Sequence, residues 1–255
     1  MTDKGQIMKN SNLLLILSIS LVAILSAGCV FDQGDSGTSP AEVTDLEQIY
    51  RAAIEDAMIA EEDEIYTELT PIIESNTDLQ WIEASGEKYV LVVTWTKYPE
   101  SYPVDSNVST WWGDTWVMVI PELKDFVEIN DIRDDELTLR LEQLIGLPYD
   151  DGNEYFVEMW VRPDDLFRPT PDPEITDTQA QLDFNENVSQ EHVEWFNSLR
   201  NTIYNQYPWS RLRYTYNWGN PDSDVGLSEY VIRNNSTVIV SSVSTTLDYF
   251  HQESF

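Results

Sequence analysis

The run from Tyr89 to Thr96 is apolar on both of its alternating faces and rich in β-branched side chains. It reads as an interior strand, so the chain must build a sheet with other elements around it. Further strands are expected at Thr115–Ile120, ended by Pro121, and at Tyr155–Val161, stopped before Pro163. Three more are expected near the carboxyl end, at Leu212–Trp218, Ser228–Arg233 and Thr237–Thr245.

Helical periodicity interrupts these strands irregularly. Ser39 is a cap, Pro40 suits the first helical position and Glu42 completes a capping box. Val43, Leu46, Tyr50, Ala53, Ile54 and Ala57 then share one face, giving a helix that stops near Ala60. Shorter helices are expected over Glu122–Glu128, over Asp134–Ile145 (ended by Gly146 and Pro148) and over Gln190–Tyr204 with Ser189 as its cap. Residues 163–176, with Pro163, Pro169, Pro171 and Pro173 around Arg168, read as an ordered surface loop. No repeat at solenoid spacing is present. The pattern is that of a single α+β domain over residues 40–255, with a mainly antiparallel sheet and three to four helices.

The amino terminus reads as an export signal over residues 1–28. Lys4 and Lys9 precede an apolar run from Leu13 to Ala27, which is short for a membrane span but suits a signal-peptide core. It ends in Leu25-Ser26-Ala27-Gly28-Cys29, which resembles the lipobox of lipoprotein signal peptides, although Ser26 stands where leucine is commonest. Cys29 is the one cysteine of the chain, which rules out an intramolecular disulfide and any multi-cysteine metal site. The resemblance implies lipid attachment at Cys29, on the extracytoplasmic face of a cell membrane. Two lipid chains on one residue anchor stably where one is marginal. Residues 29–39 are polar and rich in Gly and Ser, a flexible tether reaching on the order of 30 Å.

Charge narrows the partners. The chain carries 46 Asp and Glu against 14 Lys and Arg, a formal net charge of −32. Nucleic acid is electrostatically excluded as a general partner, and anionic headgroups would repel the domain. The nine tryptophans and thirteen tyrosines argue for a packed core rather than disorder. A carboxylate-covered surface suits saline surroundings and opposes self-association. Four sequons, at Asn107, Asn187, Asn234 and Asn235, are about as many as chance gives in so Asn- and Ser/Thr-rich a chain.

Only His192 and His251 offer imidazole chemistry, and no metal-ligand spacing joins them. Acids are so abundant that no pair stands out for carboxylate catalysis. The most distinctive stretch runs from Tyr204 to Glu229. As a strand, Leu212–Trp218 would place Leu212, Tyr214, Tyr216 and Trp218 on one face, with Arg211, Arg213, Thr215 and Asn217 on the other. One reading makes the aromatic face core and pairs the arginines with surface acids. The other makes Trp209, Arg211, Tyr214, Tyr216 and Trp218 a groove that stacks a glycan or a protein ligand and grips a carboxylate. Asn220, Asp222, Asp224 and Glu229 alternate oxygen ligands in the manner of a calcium loop; calcium is the one cofactor the pattern allows. Gly226 is a place late for an EF-hand, and Asx-rich turns take this form without metal.

Several segments together resemble an uncharacterised family of secreted archaeal and bacterial proteins. They are Pro208 to Leu212, Tyr214 to Pro221, Gly226 to Ile232, Trp111 to Trp116 and Pro171 to Asp177. The family pattern has glycine where Arg213 stands and aspartate where Asn217 stands. The resemblance implies an exported domain with limits near residues 65–240 and supplies no catalytic residues. The expectation is a lipid-anchored binding or envelope-associated domain, the alternative a glycosidase-like hydrolase using paired carboxylates.

Overall fold

A computed structural model of the protein describes residues 40–203 and 205–251. The expected signal region, Cys29, the tether and Tyr204 lie outside the described residues. Among those described, no helix is long and apolar enough to cross a membrane.

The domain is α+β. Nine antiparallel strands form its sheet: β1 (Trp81–Ala84), β2 (Glu87–Thr96), β3 (Asn107–Ser109), β4 (Thr115–Val119), β5 (Tyr155–Val161), β6 (Leu166–Phe167), β7 (Tyr214–Tyr216), β8 (Val225–Ile232) and β9 (Thr237–Thr245). The main order is β3-β9-β5-β2-β4-β8-β6, with β1 added to β2 and β7 to β8. As its sequence requires, β2 is interior: it pairs with β5 on one side and with β1 and β4 elsewhere along its length.

Five α-helices accompany the sheet: α1 (Pro40–Asp56), α2 (Ile120–Ile129), α3 (Asp134–Leu144), α4 (Gln190–Ile203) and the short α5 (Thr246–His251). Pro121 does end a strand, but it does so by opening α2 directly from β4. At the end of α3, Gly146 takes a φ of 73° and Leu147 N–H donates to Glu142 O at 2.9 Å, a Schellman-type stop. Ser189 caps α4 by accepting the His192 N–H at 3.1 Å.

Each face of the sheet buries a separate apolar layer. Val90 and Val92 of β2 join Val117 and Val119 of β4, Val157, Met159 and Val161 of β5, and Tyr230 and Ile232 of β8. Ile72, Leu79 and Ile175, from long irregular segments, close over that layer. On the opposite face, Leu91, Val93, Trp95, Met118, Phe156 and Leu227 meet Leu123 of α2, Leu137, Leu141 and Leu144 of α3, and Tyr249 of α5.

A β-bulge between Glu158 and Met159 leaves Ser241 without a register partner on β9. It therefore sends Val240 and Val243, three residues apart, toward the same layer.

Candidate functional site

The stretch after α4 departs from the simple strand its sequence suggests. Every residue from Pro208 to Trp218 is buried, on both alternating faces. Regular strand structure is confined to Tyr214–Tyr216, because Arg211 and Arg213 take φ values of 59° and 73° in the left-handed region. Glycine adopts such a conformation most readily, and neither of these residues is a glycine.

Neither arginine lies on the surface. Arg213 has no exposed side-chain area and pairs with Asp172 at 3.2 Å and with Asp177. It also donates to Gln179 O at 2.7 Å and to Asp172 O at 3.1 Å. Burial, with Arg168 beside it, lowers Arg213 to about 10, so it remains a cation at neutral pH. Arg168 donates to Thr70 O at 2.7 Å and lies 4.4 Å from the centre of the Tyr230 ring.

These two guanidinium groups explain why the expected surface loop is instead largely interior. Residues 166–172 are all buried, and with Asp177 and Gln179 they bring carbonyl and carboxylate oxygens to groups that could not otherwise leave water.

A cavity of about 410 Å³ opens on the helix-covered side of the sheet. Strands β2, β4 and β8 contribute Trp95, Trp116, Met118 and Glu229. The turn after α3 contributes Ile145, Gly146, Leu147 and Asp151, and α4 with the segment beyond it adds Leu199, Tyr207, Pro208 and Trp209. Trp116 and Trp209 meet edge to face, with ring centres 6.3 Å apart. Tight packing holds the turn after α3 in place: a Cβ on Gly226 would overlap Thr215 Oγ1 and come within 2.6 Å of Leu144 O.

Two polar groups in this lining lack protein partners. The Trp209 indole N–H is buried without an acceptor, in a residue only 6 % exposed. The Glu229 carboxyl has no hydrogen bond or ion pair among the described residues. Burial alone pushes it up to about 8, so it is largely protonated at neutral pH. Lys97 and Asp151, also lining residues, lie 3.6 Å apart and compensate one another.

Of the five residues expected to bind a ligand, Trp209, Tyr214 and Tyr216 line the cavity, whereas Arg211 and Trp218 do not. Arg211 is turned inward and donates to Ala57 O. Trp218 donates to Leu147 O at 2.8 Å and packs edge-on to Tyr50. The phenols of Tyr214 and Tyr216 are also committed, to Asp224 Oδ2 at 3.3 Å and Asp56 Oδ2 at 2.6 Å; burial raises both, so they act as neutral donors. Sequence reasoning missed Trp95, Trp116 and Tyr207, and it assigned Glu229 to a different role. An acid between Leu227 and Val231, at an inward position of a strand, was the available signal for Glu229.

The expected calcium ligands are dispersed. Asp222 N–H donates to Asn220 Oδ1 at 3.1 Å in a local Asx turn. Glu229 faces the cavity, while Asp224 joins Asp56 and Glu64, with carboxylate oxygens within 4.8 Å of one another. This triplet offers hard oxygen ligands of the kind calcium takes. Burial and the mutual proximity of the acids raise Glu64 and Asp224, and two phenol donors already serve the cluster.

The histidines stand apart from the cavity. His192 is buried, with Nε2 2.7 Å from Thr170 O, and burial lowers its basicity. His251 pairs with Asp134 at 3.1 Å on the surface.

No protein-family model, curated protein or solved structure matches this chain, so no activity is carried to the cavity from a relative.

Proposed function

We propose that the chain is a lipid-anchored extracytoplasmic binding domain that takes a small ligand into the cavity between α3, α4 and the sheet. The observation that carries this reading is the cavity itself: its volume is that of an ordinary ligand site, and its lining combines indole rings with two unpartnered polar groups. A concave site of this size suits a small molecule or one end of a glycan or peptide rather than a protein surface.

A thermal-shift screen of small glycans, short peptides and organic ions tests the reading. A true ligand raises the melting temperature progressively as its concentration exceeds its dissociation constant, and Leu199→Trp, which enlarges a lining side chain, abolishes the rise. Failure of the whole screen, or ligand shifts that survive Leu199→Trp, would reject the site. The anchor has its own test. Cys29→Ser should release the protein from membranes into detergent-free extract, whereas continued retention would mean that residues 13–28 act as an uncleaved span.

A second reading, a carboxylate-dependent hydrolase, is favoured by one observation: Glu229 and Asp151 line the same cavity. Two carboxyl groups flanking one bond are what glycoside hydrolysis uses. Turnover of nitrophenyl glycosides that disappears in both Glu229→Gln and Asp151→Asn would establish it.

A further inference from the structure

We infer that the cavity is built for a small organic cation bearing an ammonium group, with Glu229 as its counter-ion and the indoles of Trp95, Trp116 and Trp209 around it. This rests on the binding reading above and adds the class of ligand.

The argument begins with what Glu229 lacks. Glu229 is only partly exposed and lies between the buried Ser228 and Tyr230, and a carboxylate so placed is ordinarily paired or hydrogen-bonded, because desolvating it alone is costly. Here neither an arginine, a lysine nor a hydroxyl reaches it among the described residues. Its own neighbours supply nothing. On β4, Trp116, Val117 and Met118 are uncharged, and on the β7 side its backbone N–H donates to Arg213 O at 2.8 Å while the Arg213 guanidinium is committed to Asp172 and Asp177. Glu122 of α2 is engaged by the Ser228 N–H at 2.5 Å. The other titratable lining residues are Lys97 and Asp151, which pair with each other, and the phenols of Tyr207, Tyr214 and Tyr216, the last two kept neutral by burial. Ionised, Glu229 would leave the lining one negative charge in excess.

A bound cation supplies that missing charge, and indole faces attract cations specifically. The surrounding field acts in the same direction, because a net charge of −32 concentrates cations and repels anions. The unpaired Trp209 N–H adds a second requirement, an oxygen acceptor on the ligand. An ammonium group and a hydroxyl or carbonyl on one small molecule satisfy both.

Uptake is then coupled to a proton. The empty site holds Glu229 as the neutral acid, and the cation displaces its proton to solvent, exchanging one positive charge for another.

Choline and its neutral isostere 3,3-dimethylbutan-1-ol, titrated calorimetrically into the purified full chain, test this. Choline should bind more tightly as pH rises. With the carboxyl at about 8, affinity should gain about 50-fold between pH 6 and pH 8 and level off above that. Close to one proton should be released per choline at pH 6, measured from the dependence of heat on buffer ionisation. Glu229→Gln should bind choline at least tenfold more weakly at pH 8, with no pH dependence. Should that variant fail to fold, proton release by the unmodified chain decides the matter.

If 3,3-dimethylbutan-1-ol binds as tightly as choline and Leu199→Trp abolishes both, the cation inference is overturned while the cavity remains a binding site. The inference is also overturned by pH-independent choline binding or by the absence of choline binding. The wider ligand screen then judges the cavity on its own.

Discussion

The indole N–H of Trp195 donates to Asp114 Oδ2 at 2.6 Å, and Asp114 Oδ1 accepts the Asn234 N–H at 2.9 Å. One carboxylate thereby holds α4 and the turn between β8 and β9 to the residue before β4. Within the Trp111–Trp116 segment, Asp114 is the residue that makes these ties. It also sets one wall of the cavity, because Leu199 lies one turn beyond Trp195 on α4.

Asp114→Ala should therefore destabilise the domain by about 1–3 kcal/mol, the range for losing hydrogen bonds to a charged acceptor. Urea unfolding measures this. Trp195→Phe should cost less, and the double variant should cost less than the two singles added, because both delete the same bond.

Gly226 has a packing role rather than a place in a metal loop. Gly226→Ala would push a methyl group into Thr215 and to within 2.6 Å of Leu144 O, where backbone cannot yield cheaply. A loss of about 1–3 kcal/mol is expected, as for overpacked cores. At Gly86 and Gly152 an added Cβ meets nothing within 4 Å, so alanine there brings backbone strain alone, at φ 82° and 85°. Thermal melts of the three variants should put Gly226→Ala lowest.

For the arginines, burial reverses the expectation from sequence. A surface-paired Arg211 would be nearly silent on removal; at 8 % exposure and bonded to Ala57 O, it should cost about 1–3 kcal/mol as Arg211→Ala. Arg213→Ala should cost more, about 3–5 kcal/mol, because it leaves the buried Asp172 without its cation. Denaturant midpoints that rank the two in the opposite order would contradict the ion-pair assignment.

Glu229 should also give the domain a distinctive pH dependence. Its carboxyl rises on folding from an ordinary value near 4.5 to about 8. The folded state therefore binds its proton more tightly than the unfolded chain does. Stability from this group is complete below about pH 4.5 and is lost as pH rises toward 8, on the order of 4 kcal/mol at about 1.4 kcal/mol per pH unit. General repulsion among the other acids acts in the same direction. The stability difference between the unmodified chain and Glu229→Gln isolates the one carboxyl. That difference should favour Gln increasingly from pH 5 to 8, and a constant difference would place the carboxyl in contact with water.

Much of the secondary structure was legible locally. Tyr155–Val161 and Thr237–Thr245 lie where alternation and turn residues put them, and Ser189 and Gly146 mark helix ends by their own chemistry. The stretch 208–218 was not legible in the same way, because an arginine in the left-handed region carries no periodic signal. Nor does local pattern reveal that Arg213 reaches back to Asp172, a pairing made by tertiary packing. The cavity is less legible still. Its lining runs from Thr94 to Glu229, and only the sheet order β2-β4-β8 brings Trp95, Trp116 and Glu229 together. The Asx-rich run before Glu229 draws it into a calcium pattern; its role at the cavity depends on apolar neighbours that only the sheet order supplies.

The sheet's boundary strands are all brief: β3, β6, β1 and β7 have three, two, four and three residues. In dilute buffer the acidic coat alone would hold copies of this protein apart. In brine that repulsion is screened to within about 3 Å at molar salt, and a long exposed strand would become a template for stacking. Strands this short offer few free backbone groups to recruit a neighbour, a protection that salt does not screen.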